Sequence, residues 1–332
     1  MVSYKWCVCT FVVALFSSIS SITGEGGEGV VSQTIIVDPS GSGGFRTIQA
    51  AINSVPSNNQ QWTTINIKQG VYKEQVLIPR DKPFIYLKGA GRKYTFIVWD
   101  GHESIDNATF ASEADNTLAR DITFSNSYNS KNPNPIARAV AAKIKGDKSA
   151  FYGCAFLGVQ DTLWDAQGRH YYKSCTFKGA VDFIFGAAQT HYESCNISVD
   201  TSTLNGKTAG YIAAQGRENG QDTNGFVFKG CNIDGNGKTY LGRGWRPYSR
   251  VLFYNTQMSD IVVPQGWDAW KAAGKESQLT LSEYNCSGPG ANSSGRVAWE
   301  KKLSEGEVNQ LTNISFIDNE GWVKIALNIL GG

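Results

Sequence analysis

The sequence is poor in net charge, in long apolar runs and in metal-binding spacings, and each shortage removes a class of function. Across 332 residues, 31 Lys and Arg stand against 29 Asp and Glu, a formal charge of +2. No Lys/Arg cluster breaks that balance, so nucleic acid is not an expected partner. The one pronounced apolar run, Trp6–Phe16 (WCVCTFVVALF), is shorter than the roughly 20 residues a membrane helix needs. No second apolar stretch follows, so no membrane association is expected. No Cys-x-x-Cys or His/Cys spacing suggests a metal site, and the three histidines, His102, His170 and His191, read as structural. No Gly-x-Ser-x-Gly segment offers a serine nucleophile. Heptads and long amphipathic helical periods are missing too. What is abundant is glycine (36 residues) and aromatics (16 Phe, 14 Tyr, 9 Trp), the composition of a strand-rich chain with many turns.

The N-terminus reads as a secretory signal over residues 1–23: Lys5, the apolar run, then small residues in SSISSITG. The remainder, 24–332, is expected to form one domain, secreted to the extracellular cell wall. Five sequons fit export, at Asn107, Asn196, Asn285, Asn292 and Asn313. Cys7 and Cys9 would leave with the signal. The other five cysteines, Cys154, Cys175, Cys195, Cys231 and Cys286, are odd in number and sit like rungs of a buried ladder, with a bridge between neighbours left open.

The ladder belongs to a repeat. ARDITFSNS, FYGCAFLG, YYKSCTFKG, HYESCNISV, FVFKGCNIDG and VLFYNTQMSD share one pattern of aromatic or apolar start followed by an alternating strand. Cys154 and Cys175 lie 21 residues apart, Cys175 and Cys195 lie 20 apart, and an insertion near 200–210 precedes Cys231. A period near 20 residues with strand character predicts an all-β solenoid, a right-handed parallel β-helix with short capping helices. One helix is expected over about 46–54, plugging the open N-terminal end, and another over about 303–311. The segment from Gly266, with Trp267, Trp270 and Trp299, reads as cap and packing. Two units stand out: Cys154 is followed seven positions later by Asp161, and Cys175 seven positions later by Asp182. On neighbouring coils, about 4.8 Å apart, these carboxyls should be close. Two such carboxyls do not easily ionise together, so one is expected to hold a proton while the other stays charged.

Five motifs then carry a resemblance: GVYKE (Gly70–Glu74), GVQDTLWD (Gly158–Asp165), GRHYYKSCTFKGAVDFIFG (Gly168–Gly186), AAQGR (Ala213–Arg217) and LGRGWRPYSRV (Leu241–Val251). From DPSGSGGFRTIQAAI onward, the chain resembles the pectin methylesterases of plants, of the type without an inhibitor-like pro-region. The resemblance implies a pectin-lyase-like β-helix that hydrolyses methyl esters of cell-wall homogalacturonan to pectate and methanol, as a monomer and without metal or organic cofactor. Partners implied are methyl-esterified homogalacturonan and a proteinaceous pectinesterase inhibitor. Position by position, it implies Asp182 as nucleophile, Asp161 as general acid and then base, and Gln160 as oxyanion donor. It implies Arg243 holding Asp182 ionised, Trp245 stacking on sugar and Thr109 touching substrate.

Three positions depart from the family pattern. Arg138 opens Arg-Ala-Val-Ala where the family usually has Gln-Ala-Val-Ala, Gly244 replaces a frequent proline, and Trp164 a frequent tyrosine. The amide normally at 138 is a second oxyanion donor. An arginine can still donate, but its charge favours an ionised Asp161, and a general acid must hold a proton. Weakened activity, or a need for more acidic pH, is therefore expected. The competing reading is a catalytically impaired pectin-binding wall protein. A lyase or glycosidase on the same fold ranks last, because no acidic calcium cluster or paired NTD/GHG-type motif is present.

Overall fold

Each coil is three short strands joined by turns, and the coils stack in register. The strands Ser149–Tyr152, Ala155–Leu157 and Leu163–Asp165 form one coil; Arg169–Lys173, Thr176–Gly179 and Val181–Gly186 form the next. They pair in parallel as Phe151 to Tyr172, Phe156 to Phe177 and Leu163 to Ile184. Repeating this generates three parallel sheets of eleven, eight and eight strands in a right-handed parallel β-helix. The computed structural model describes residues 31–204 and 208–331; the expected signal segment lies outside the described residues.

The turn between first and second sheets explains the cysteine spacing. In successive coils its first residue has positive φ: Asp121, Gly153, Ser174, Ser194, Gly230, Asn255 and Asn285. These are the small or polar types that tolerate the left-handed region. The next residue then points into the core, and that position is Ile122, Cys154, Cys175, Cys195, Cys231, Thr256 and Cys286. All five thiols are free. Cys175, Cys195, Cys231 and Cys286 donate to carbonyls of Phe151, Tyr172, Tyr192 and Phe253, one coil back. The ladder is packing, not bridging.

Inside, aromatic rings stack along the axis because equivalent residues repeat at the coil spacing. Phe151, Tyr172, Tyr192, Phe228 and Phe253 form one column with centroids 4.5–5.0 Å apart. Phe124, Phe156 and Phe177 form a second. Each such contact adds about 0.5–1.5 kcal/mol beyond burial. Buried among them is Asp165, whose carboxylate accepts from His170 Nδ1 (2.5 Å), Tyr172, Thr190 and Tyr192 (2.7 Å). His170 Nε2 donates to the Gly146 carbonyl, so its role is structural, as expected.

Helices cover two surfaces. Helix α1 (Ile48–Ser54), capped by Thr47, buries Ile48, Ala51 and Ile52 on the N-terminal end of the core. Glu74 of the GVYKE motif accepts from the Ile48 and Gln49 amides at its first turn; that motif is a helix anchor. Helix α2 (Tyr128–Lys131) is a single turn. Helix α3 (Glu305–Thr312), with a Ser304–Glu307 capping box, matches the second expected helix. Helix α4 (Trp322–Gly331) was not expected from the sequence. It packs Trp322, Val323, Ala326 and Ile329 against Trp62, Tyr86, Leu118 and Tyr171 on the outside of the first sheet. The outside of the third sheet is left for the cleft.

Candidate active site

Asp161 and Asp182 occupy equivalent places at the entry to the third sheet. Gln160 bridges to Val181, and Leu163 pairs with Ile184, so the register sets Asp161 beside Asp182. Both are in the left-handed region, at φ 61° and 47°, a strained conformation that persists where the surroundings enforce it. Both are only 7% exposed, yet both line an outer cleft of about 240 Å³ together with Gln160, Arg138, Arg243 and Trp245. Six of the seven sequence-derived site residues thus converge.

The two carboxyls have different neighbours. Arg243 binds Asp182 with both faces of its fork, Nε to Oδ1 at 2.8 Å and Nη2 to Oδ2 at 2.5 Å. Its guanidinium lies between two rings, 4.1 Å from the centroid of Tyr211 and 3.8 Å from that of Trp270. Tyr211 in turn donates to Asp268, and the Trp270 amide donates to the same carboxylate. Burial lifts Asp182 above the ordinary carboxyl range, and Arg243 pulls it back. Asp161 has no such fork. Burial first, then the negative charge of Asp182, push it up to about 7, against the pull of Arg138 and Arg243. The pair therefore separates into a carboxyl held by a cation and one that keeps its proton toward neutrality.

An apolar wall adjoins them. Phe185 stacks on Trp164 at 5.9 Å and meets Trp245 edge-on at 6.0 Å, with Val140, Ala108 and Ala214 beneath. A donor, two unequal carboxyls and a flat aromatic wall suit acyl transfer on a sugar-borne ester. Among the described residues no cluster of His, Cys, Asp and Glu could hold a metal ion.

Comparison with known proteins points the same way. The family model described as Pectinesterase matches residues 34–320. The chain belongs to the pectinesterase family. It is 53% identical over 302 residues to "Probable pectinesterase 29" of Arabidopsis thaliana, covering 89% of this chain and 90% of that one. To "Probable pectinesterase 55" of the same plant it is 53% identical over 296 residues. Among solved structures, the pectin methylesterase from carrot superposes with a TM-score of 0.82 at 31% identity, over 93% of this chain and 98% of that one. The protein is accordingly a carboxylic ester hydrolase acting on pectin.

The structure of this pectinesterase corrects two expectations. Thr109 does not reach the cleft: it is fully buried, and its hydroxyl donates to the Ser125 carbonyl. Nor is the segment after Gly266 all packing. Trp267 is core, but Trp270 and Lys271 line the cleft. Gly244 explains their approach, since a Cβ there would lie 2.7 Å from the Ala269 carbonyl. Sequence reasoning missed Tyr211 and Trp270 as the clamp on Arg243. Within AAQGR, Gln215 is structural, accepting from the Arg217 and Arg250 amides, while Ala214 lines the cleft. No helix among the described residues is long and apolar enough to cross a membrane.

Proposed function

We propose that Asp182 is the nucleophile and Asp161 the proton carrier in hydrolysis of homogalacturonan methyl esters. The observation that carries this reading is the register-stacked pair itself, with Arg243 forked onto one carboxyl and a raised affinity for protons, to about 7, on the other. An Asp182 oxygen attacks the ester carbonyl carbon, and the Gln160 amide donates to the developing oxyanion. Asp161 gives its proton to the methoxy oxygen, methanol leaves, and an anhydride joins the substrate acyl group to Asp182. Asp161, now a carboxylate, takes a proton from water. The resulting hydroxide attacks the acyl carbon, Asp182 departs as carboxylate, and the acid product forms. Phe185, Trp164 and Trp245 would seat the sugar face.

Arg138 bears on the competing reading, a wall protein that binds pectin without turning it over. That reading needs Arg138 to strip Asp161 of its proton. Burial and Asp182 outweigh Arg138 in setting Asp161, which favours hydrolysis. Secretion to the cell wall, a monomeric state and inhibition by a proteinaceous pectinesterase inhibitor belong to the same proposal. Methanol release from methylated pectin by the purified protein tests it. Polymer binding without methanol would select the binding protein instead.

A further inference from the structure

A guanidinium fork serves a carboxylate only when it lies in the carboxylate's plane. For Arg243 that plane is set by two rings, Tyr211 and Trp270, on which its guanidinium lies. Packing alone does not fix either ring, since Tyr211 is half-buried and Trp270 is 36% exposed. Both are tied to one carboxylate instead. Asp268 Oδ2 accepts from the Tyr211 hydroxyl at 3.0 Å, and Oδ1 accepts from the Trp270 amide at 2.8 Å. The second bond closes a turn in which Trp270 has φ 44°, a left-handed conformation that bulky residues rarely adopt. Register brings Asp268 to this place. It pairs with Arg243 on the neighbouring strand, as Tyr211 pairs with Val181 beside Asp182. The Gly244 amide donates to the Asp268 carbonyl at 3.0 Å, in a space that a Cβ at 244 would close.

The charge of Asp268 does not serve the site. Arg243 and Lys271 favour an ionised Asp182, and Asp268 opposes it; Asp161 and Arg138 line the same cleft from the coils before. By charge alone Asp268 harms the nucleophile, so what it contributes there is position. We propose that Asp268 is a positioning residue, anchoring the Tyr211 and Trp270 rings so that Arg243 lies flat and presents both fork nitrogens to Asp182. The inference rests on the reading of Asp182 as nucleophile.

Charge and position move the acid limb of the pH profile in opposite directions, which makes the two separable. D268A removes the charge and both acceptors, whereas Y211F keeps the charge and the ring and removes one tether. With position dominant, Arg243 loosens in both variants and Asp182 holds its proton more tightly. The acid limb of kcat/KM for methanol release should then move up by about one pH unit, with roughly tenfold less activity on that side. D268N keeps an acceptor for the Trp270 amide and can donate to the Tyr211 oxygen, so it should lie closer to the wild type. An acid limb that moves down in both D268A and D268N, with Y211F unmoved, marks a charge effect and overturns the proposal. So does a lowered urea midpoint with an unmoved profile, the mark of a merely structural residue. The second arm needs no substrate: carboxyl carbon NMR of Asp182, identified with D182N, follows its titration directly. The midpoint should rise by about one unit in D268A and Y211F, and an unmoved midpoint in both overturns the proposal. If the wild type releases no methanol, the hydrolytic reading fails, and this titration decides alone whether Asp268 positions Arg243.

Discussion

Replacing Arg243 by methionine isolates the part played by charge next to Asp182. Methionine fills much of the space between Tyr211 and Trp270, so the substitution removes the fork while keeping the stem packed. The side chains of Arg243 and Asp182 are 16% and 10% exposed, a pair screened little by solvent. Removing one partner of such a pair typically costs about 3–5 kcal/mol. Asp182 need not pass that cost to folding, because it can take up a proton instead. At about 1.4 kcal/mol per decade, the ionised nucleophile near neutral pH falls by roughly two to three and a half powers of ten.

Raising the pH does not restore the variant. Without Arg243 both carboxyls hold their protons more tightly, since its charge pulls down Asp161 as well as Asp182. Alkaline solution then removes a proton from the pair with nothing left to place the charge on Asp182 rather than Asp161. Initial rates of methanol release from methylated pectin, taken across pH, should show kcat/KM down by about 100-fold or more at every pH. The urea midpoint should be nearly unchanged. Arg243→Lys should fall between, since an ammonium cannot fork or lie flat between rings. A methionine variant within about fivefold of wild type, with an unshifted profile, would refute the ion-pair argument.

The wild-type pH profile should be bell-shaped, falling above about 7 as Asp161 loses its proton and falling in acid as Asp182, itself raised by burial, becomes neutral. Arg138 pulls Asp161 down, so Arg138→Gln should move the alkaline limb to higher pH and leave the acid limb in place. An alkaline limb that stays put or moves down would contradict this, and it is read from the same methanol assay. Asp165→Asn offers one oxygen where four donors now converge on two. It should lower stability by about 3–5 kcal/mol, measured by urea unfolding; a loss under about 1 kcal/mol would remove Asp165 from the structural account.

Much of this was readable from the chain because a solenoid turns sequence period into spatial neighbourhood. Cys154 and Cys175 announce the coil length, so Asp161 and Asp182 could be set side by side before any coordinates. Gln160 and Arg138, one residue and one coil away, were singled out by the family resemblance alone. The repeat logic failed where contacts cross coils by side-chain reach. Arg243 arrives at Asp182 over the ring of Tyr211, from two strands further along the third sheet, and only motif likeness foretold it. Trp270 comes from the strand turn beyond, among residues that looked like capping. Thr109 shows the opposite failure: a motif match named the residue type, but only the packing tells that its hydroxyl faces inward. Helix α4 did carry a signal, with Trp322, Val323, Ala326 and Ile329 on one face. What the sequence lacked was a sign that the first sheet's outer face was apolar enough to receive it.

Stacked repeats also pose a problem that the flanking coils solve. Two aspartates at equivalent register positions share backbone conformation, burial and sheet position, so nothing inside the repeated stretch can make one an acid and the other a nucleophile. The difference must come from the coils on either side. Asp161 looks back toward Val140 and Arg138, a mostly apolar neighbourhood with one exposed charge. Asp182 looks forward toward Tyr211, over which Arg243 lies flat and forked. Burial lifts both carboxyls, and the ordered cation pulls on both but is forked only onto the second. Division of labour in a repeat protein is therefore set by where the repetition breaks. In this chain, substitutions at 138, 211, 243 and 270 should redistribute protons between the carboxyls more readily than changes within the repeat itself.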